Sequence, residues 1–326
     1  MAEITQLEVK NFLLPFEGQK ITLNEIRNEF NIVQGTKSYN AIRVIAHRLC
    51  EERVLKAMGA RGEFRVLQNL EPVQWWVGNE QEPLNFTFPQ SYEDYTRFGW
   101  EDILEVYAGD LILIGGVSNF GKTALALSIL GENLALMPCF LMGGEYTASN
   151  GKISPKFQRR MRRMKWADWL KDDKPRFQLY PVGTDYEDYV VPDSLNIIDW
   201  ISLPGEYYMI DSVMKSIKDR IGHGVAVVVL QKNRTSEWGE GGERSERYGD
   251  VCMTIDPYGT DSMVTMGKVK AQKGRCTGRM WAFEIVDHGA NLLNIHEIVR
   301  CKNCWGTGKK QGARCDACDG KKYVAK

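Results

Sequence analysis

Apolar positions along the first sixty residues repeat with a helical period. ITQLEVKNFLL predicts a first helix. Thr22 stands where it can cap LNEIRNEF, and Glu25 three residues on completes a capping box. Ser38 is the expected cap of a longer helix over YNAIRVIAHRLCEERV, with Ala41, Ile42, Ile45, Ala46 and Leu49 on one stripe. VLKAM, GARG and EFRVL then read as strand, glycine turn and strand, which closes a first domain over 1–68. Periodicity is lost over 69–97, where Pro72, Pro83 and Pro89 mark a linker that packs against the next domain. Over 98–297 the pattern alternates. LILIG, CFLMGG, SLNIID and VAVVVLQ are strands, KTALALSILGENLAL is an apolar helix, and YYMIDSVMKSIKDRI is an amphipathic one. MVTMGKVKAQ and GRMWAFEIV are late strands. Such alternation predicts an α/β domain with a mainly parallel sheet. Residues 298–326 form a separate cysteine-bearing tail.

Composition narrows the class. The chain has 326 residues, 42 basic and 42 acidic, so its formal net charge is zero. With 43% apolar and 26% charged residues it has the make-up of a globular protein, which excludes disorder, collagen and a disulfide-held miniprotein. No run approaches ~18 apolar residues, so no membrane span is expected. The opening MAEITQLEVKNF mixes acids with apolar residues and lacks a signal-like core, and a cytoplasmic location is expected. Charge is nevertheless uneven. Segment 151–178 has ten Lys/Arg against three Asp, and 300–326 has eight against two. Basic blocks in a neutral chain suit a polyanion or a plain solvated surface.

Candidate chemistry centres on Gly116-Val-Ser118-Asn119-Phe120-Gly121-Lys122-Thr123, two glycines with four residues between them, followed by Lys and Thr. A strand precedes this loop and a helix follows it. That setting lets backbone amides, the helix terminus and Lys122 hold the phosphates of ATP, with the Thr123 hydroxyl on Mg²⁺. Glu145 follows CFLMGG, at the strand end that faces the crevice of an open sheet, where it is able to orient or deprotonate water or merely to cap the strand. Asp199 follows SLNII and is the first choice for a Mg²⁺ ligand. Asn196 interrupts that run, and Asp211 and Asp256 are rivals. Gln231 ends VAVVVLQ, placed to sense the γ-phosphate and pass its state to a charged, glycine-bearing loop over 232–248. Cys301, Cys304, Cys315 and Cys318 form two CxxC pairs with ten residues between them, a spacing that suits a structural Zn²⁺ site, while four free thiols are the bland alternative. KFQRRMRRMKWADWL carries Met161, Met164, Trp166 and Trp169 beside Arg159, Arg160, Arg162 and Arg163, to line a DNA path or pack on a neighbouring subunit.

The order Gly116–Thr123, Glu145, Asp199, Gln231 resembles the RecA-like ATPases, most nearly the ATPase domain of DnaB-type replicative helicases and their RadA/KaiC-like relatives. AGDLILIGGVSNFGKTALALSIL, FLMGGEYTA, NIIDWISL, LQKNR and ERYGDVCMTID carry the likeness, over roughly 98–295. It implies a RecA-like core, a catalytic Glu145, Asp199 on Mg²⁺, and Asp250 before a core strand. It also makes Lys270 and Lys273, in MGKVKAQKGRCTGRMWAFEI, candidate fingers that reach a neighbour's nucleotide in a ring or filament. The chain departs from the family by having Lys at the finger position and no helical collar. Its first domain resembles instead a winged helix, which implies duplex DNA at Arg43, Arg48, Lys56, Arg61 and Arg65, a helical packing module being the alternative. The cysteine repeat resembles the zinc modules of DnaJ-type cochaperones. Together these imply a DNA-binding ATPase, with single-stranded DNA at the core, acting as helicase or translocase in replication or recombination. The compact domain mix suits a phage-encoded protein. A nucleotide-gated DNA-binding regulator or loader that uses ATP only to assemble is the second reading. A small-molecule kinase would leave the winged helix and the cysteine tail without purpose.

Overall fold

The structure, a computed structural model, describes residues 4–60, 62–68, 76–77, 81–147, 152–201, 203, 207–233, 236, 239 and 241–326. The chain divides into two compact units, Met1–Glu80 and Gln81–Lys326.

The first unit contains α1 (Gln6–Leu13), β1 (Lys20–Thr22), α2 (Leu23–Glu29), α3 (Lys37–Glu51), β2 (Leu55–Ala57) and β3 (Glu63–Val66). Thr22 and Glu25 form the expected capping box, and Thr5 with Glu8 forms a second one on α1. Thr36, not Ser38, caps α3. Its backbone is extended and its hydroxyl accepts from the Tyr39 amide, so the helix starts two residues earlier than the apolar stripe suggests. β2 and β3 form the expected hairpin, and β1 adds a third strand through Lys20↔Arg65 and Thr22↔Glu63. Ile26, Ile42, Leu49 and Leu55 are fully buried between helices and sheet. Each such side chain contributes about 1.5–3 kcal/mol.

The second unit opens its main sheet with β4 (Asp110–Gly116), followed by α4 (Lys122–Asn133), β5 (Cys139–Met142) and α5 (Pro155–Arg163). A small ribbon, β6 (Leu170–Lys171) and β7 (Lys174–Pro175), leads to β8 (Phe177–Tyr180), β9 (Leu195–Ile201), α6 (Ile210–Arg220) and β10 (Val225–Gln231). Then come β11 (Val251–Tyr258), β12 (Asp261–Val269), β13 (Met280–Val286) and β14 (Asn291–Arg300). The tail adds β15 (Lys309–Lys310), β16 (Ala313–Arg314) and β17 (Tyr323–Ala325). Ten strands share one sheet in the order β17-β14-β13-β12-β11-β4-β10-β9-β5-β8. From β8 to β11 all neighbours are parallel, and from β11 to β17 all are antiparallel. The parallel strands are apolar on both faces, as strands covered by helices must be. Asn196 does not weaken β9, because its buried amide both donates to and accepts from the Val191 backbone.

Three expectations change. Residues 81–97 belong to the second unit rather than to a linker: Phe86 and Phe88 are buried in its core, and Asn133 bonds both backbone groups of Thr87. The rest of the expected linker, apart from Trp76 and Val77, lies outside the described residues. The tail over 298–326 is not separate, since β14 runs on to Arg300 and β17 pairs with it at the sheet edge. The basic helix stops at Arg163. Met164 leaves helical geometry and is buried, and the Trp166 indole donates to the Ala290 carbonyl while stacking on Tyr92. The Met/Trp stripe therefore fills this unit's own core. Among the described residues no helix is long and apolar enough to cross a membrane.

Candidate active site

β4 ends at Gly116 and α4 begins at Lys122, with the loop between them bent by left-handed residues. Gly121 has φ +96°, a left-handed conformation that L side chains rarely adopt, which favours glycine there. Asn119 also has positive φ, which asparagine tolerates. No side chain caps α4, leaving its first amides for an outside acceptor. Lys122 is 8% exposed, and its ammonium donates to the Val117 carbonyl (3.1 Å) and to Gln231 Oε1 (3.0 Å). Gln231 Nε2 in turn donates to Ser118 Oγ at 2.6 Å. β10 lies between β4 and β9 with Gln231 level with Gly116, so one amide spans the phosphate loop.

Asp199, near the end of β9, is 3% exposed. Its Oδ2 accepts from the buried Tyr146 hydroxyl, and the Thr123 hydroxyl bonds the same carboxylate. Burial pushes the Asp199 pKa up, against the lowering effect of those two hydroxyls. Among the described residues its Oδ1 has no partner. An orphaned carboxylate oxygen beside the P-loop threonine has the donor chemistry of a Mg²⁺ ligand. The rival acids are engaged elsewhere: Asp211 pairs with Arg247, and Asp256 with the buried Lys232. That last pair also anchors Lys232, at the start of the loop over 232–248.

Glu145 sits on the short turn Gly144–Tyr146 just beyond β5, not on the strand itself. Its Oε1 accepts from the Trp200 indole at 3.1 Å. Glu145, Lys122 and Thr123 line one cavity of about 540 Å³. Lys156 and Arg160 of α5 also line it, as do Thr260 of the β11–β12 turn and Asp261 and Ser262 at the start of β12. Arg160 therefore lines the P-loop cavity, in contrast to the nucleic-acid surface expected for it. Arg159 is exposed and Arg163 half-buried. Tyr146, Lys156 and Trp200 escaped the sequence reading; the one signal for Tyr146 is that it adjoins Glu145.

Lys270 and Lys273 lie outside this cavity. Lys270 pairs with Asp250 at 2.7 Å, and Lys273 donates to the Glu101 carbonyl at 2.9 Å. Asp250 precedes β11 as expected. It accepts from the Leu111 amide and from Lys218 as well, tying β11 to β4, and its pKa is lowered by those bonds despite burial. Arg43 and Arg48 lie on the exposed face of α3. Lys56 is exposed, Arg65 donates to the Gly18 carbonyl, and Arg61 lies outside the described residues.

Cys301, Cys304, Cys315 and Cys318 are all buried, and their sulfurs lie within 4.8 Å of one another. Two of the separations are 4.0 and 3.6 Å, close to the ~3.8 Å edge of a tetrahedron with Zn–S bonds of ~2.3 Å. The residues fit a four-thiolate ion. Glycines at positive φ, Gly306, Gly308 and Gly320, turn the backbone beneath it, and the Gly308 amide points to Cys304 Sγ. Cys139 and Cys252, by contrast, are core thiols pushed up to about 12 by burial.

No protein-family model matches the chain, and no curated protein matches it. Among solved structures, a KaiC-like protein from the hyperthermophilic archaeon Pyrococcus horikoshii OT3 is similar over 65% of this chain and 99% of that chain, with 15% identity and a TM-score of 0.46.

Proposed function

We propose that the chain is a RecA-like ATPase that hydrolyses ATP and works on DNA. The observation that carries this reading is the convergence of Lys122, Gln231 and Ser118 on one side of the P-loop with Thr123 and Asp199 on the other. Lys122 and the loop amides bind the phosphates. Thr123 and Asp199 hold Mg²⁺, which when bound neutralises charge on the phosphate oxygens. Glu145, held by Trp200, orients a water and takes its proton as the water oxygen bonds to the γ-phosphorus. The bond from the γ-phosphorus to its bridging oxygen breaks, its electron pair stays with ADP, and the proton passes on to the released phosphate. Gln231 touches both Lys122 and Ser118, which suits an amide that registers loss of the γ-phosphate.

The DNA part of the reading is supported by charge. Arg43 and Arg48 are exposed on α3 of a three-helix, three-stranded unit whose elements suit a winged helix. The cysteine cluster holds a structural zinc, and the RecA-like assignment implies assembly into a ring or filament. Lys122→Ala should abolish ATP turnover while Arg43→Ala/Arg48→Ala leaves basal turnover intact and weakens duplex binding. Turnover by wild-type protein with and without single-stranded DNA decides between two uses of the site. Strong stimulation supports a translocase, and slow, DNA-indifferent turnover supports an assembly switch. Undiminished hydrolysis by Lys122→Ala would sink the reading.

A further inference from the structure

Arg160 and Lys156 stand four residues apart on α5, one helical turn, and both line the cavity that contains Lys122, Thr123 and Glu145. We propose that this pair supplies the positive charge at the γ-phosphate from within the same chain, in place of a finger from a neighbour. The proposal rests on reading the cavity as the ATP site, and deepens it.

The placement of α5 is not incidental. The Ser154 amide donates to the Tyr146 carbonyl at 2.8 Å, Thr147 and Ile153 form a β-bridge, and the Phe157 ring meets the Tyr146 ring at 4.6 Å. Tyr146 adjoins Glu145 and donates to Asp199. The helix that carries the two cations thus hangs from the residue that links the candidate water-orienting acid to the candidate Mg²⁺ ligand. Trp166, just beyond the helix, fixes the far end on Ala290.

Arg160 is also partly pre-set. Its Nε donates to the His288 carbonyl at 3.1 Å, across the cavity wall. Among the described residues its two amino groups and the Lys156 ammonium have no acceptor, so their donors remain for a ligand. A guanidinium offers a planar fork to two phosphate oxygens, while an ammonium adds a point charge. Negative charge on the transferring phosphoryl group is what such donors stabilise, and they act in cis as well as in trans. The expected trans candidates, by contrast, are engaged: Lys270 with Asp250, and Lys273 with the Glu101 backbone.

The test compares wild type, Arg160→Ala, Arg160→Lys, Lys156→Ala and Lys122→Ala, with thermal melting to check folding. Titration with a fluorescent non-hydrolysable ATP analogue and with fluorescent ADP reads binding. Arg160→Ala is expected to lose about 10-fold in analogue affinity, the scale of one charge-assisted contact, with ADP affinity changed less than about 2-fold. Turnover should fall by about 10²-fold or more, with partial recovery in Arg160→Lys. Mixing Arg160→Ala with Lys122→Ala chains should give no turnover beyond their separate sum, because each site needs both residues on one chain. Recovered turnover in the mixture would assign Arg160 to a neighbour's site and overturn the proposal. Equal losses for analogue and ADP, or a loss confined to DNA affinity, would overturn it too. If wild type binds and hydrolyses ATP while the Arg160 variants match it, only this proposal fails; if wild type binds no nucleotide, the site reading fails with it.

Discussion

Gly143→Ala tests whether the close approach of two strand ends builds the site. β5 and β9 run parallel with Met142 level with Ile198, so Gly143, the first residue past β5, comes beside Asp199 of β9. A Cβ on Gly143 would lie 2.2 Å from the Asp199 carbonyl oxygen and 2.7 Å from Tyr146 Cε2. The Gly143 φ of 167° is ordinary extended backbone, so the obstacle is steric and not conformational. The nearest neighbour is backbone and has no rotamer to change. To reach even a tight 3.0 Å contact the two chains must separate by about 0.8 Å. That movement carries Tyr146 away from Asp199 and displaces Glu145 with it. Overpacking of this kind costs roughly 1–3 kcal/mol. At about 2–4 °C per kcal/mol for a unit of this size, the melting temperature of the second unit should fall by about 2–12 °C. A displacement near 1 Å at a reacting centre costs about 10²-fold in rate. The P-loop itself is not touched, so fluorescent-nucleotide affinity should stay within about 2-fold while kcat falls about 10–100-fold. An alanine variant with wild-type melting and kcat within about threefold would refute the argument that this contact sets the geometry.

Asp199→Asn should abolish Mg²⁺-dependent turnover yet stabilise the ligand-free chain by about 1–2 kcal/mol at neutral pH, since it removes a buried charge with one unpartnered oxygen. The pH dependence has a definite sign. Burial raises this carboxyl's pKa in the folded chain, so wild-type stability falls as pH rises from the ordinary carboxylate range through the raised value. The variant's advantage should grow with pH and vanish in acid, and melting in Mg²⁺-free buffer checks it; a less stable variant at neutral pH would count against the site's electrostatics. For the tail, purified chain should carry one zinc by elemental analysis, and Cys315→Ser or a strong chelator should remove it. β17 joins the sheet edge through a short ladder of three residue pairs, so metal loss should expose the segment beyond Arg300 to protease. A metal-free chain whose tail resists protease equally would refute the zinc assignment.

The parts of this molecule legible in the sequence are those whose physics is local. The P-loop needs eight consecutive residues between a strand and a helix, and it stands where the pattern put it. The Thr22 capping box and the CxxC pairs are equally short-range. One local reading missed its mark by two residues. Thr36 displaced Ser38 because the chain was already helical at Lys37, a matter of backbone geometry that hydroxyl identity does not reveal. The Met/Trp stripe has helical spacing, but Met164 ends α5 and turns Trp166 into the core against Tyr92, a partner far away in sequence.

Distance along the chain also explains why the site was read only in outline. Glu145 and Asp199 were each identifiable as acids beyond strands, but their connection through Tyr146 spans 53 residues and needs β5 and β9 as neighbours in the sheet. Arg160 reaches His288 across 128 residues. In sequence it is one of four arginines in five positions, and a basic run has no direction until the helix is seated. Once Phe157 packs on Tyr146, the period of 3.6 decides the rest: Lys156 and Arg160 line the cavity, while Arg159 and Arg162 remain exposed. One aromatic contact thus separates the arginine placed for a phosphate from those left to the surface. Phe157→Ala should therefore act on the ATP site much as Arg160→Ala does, although Phe157 carries no charge.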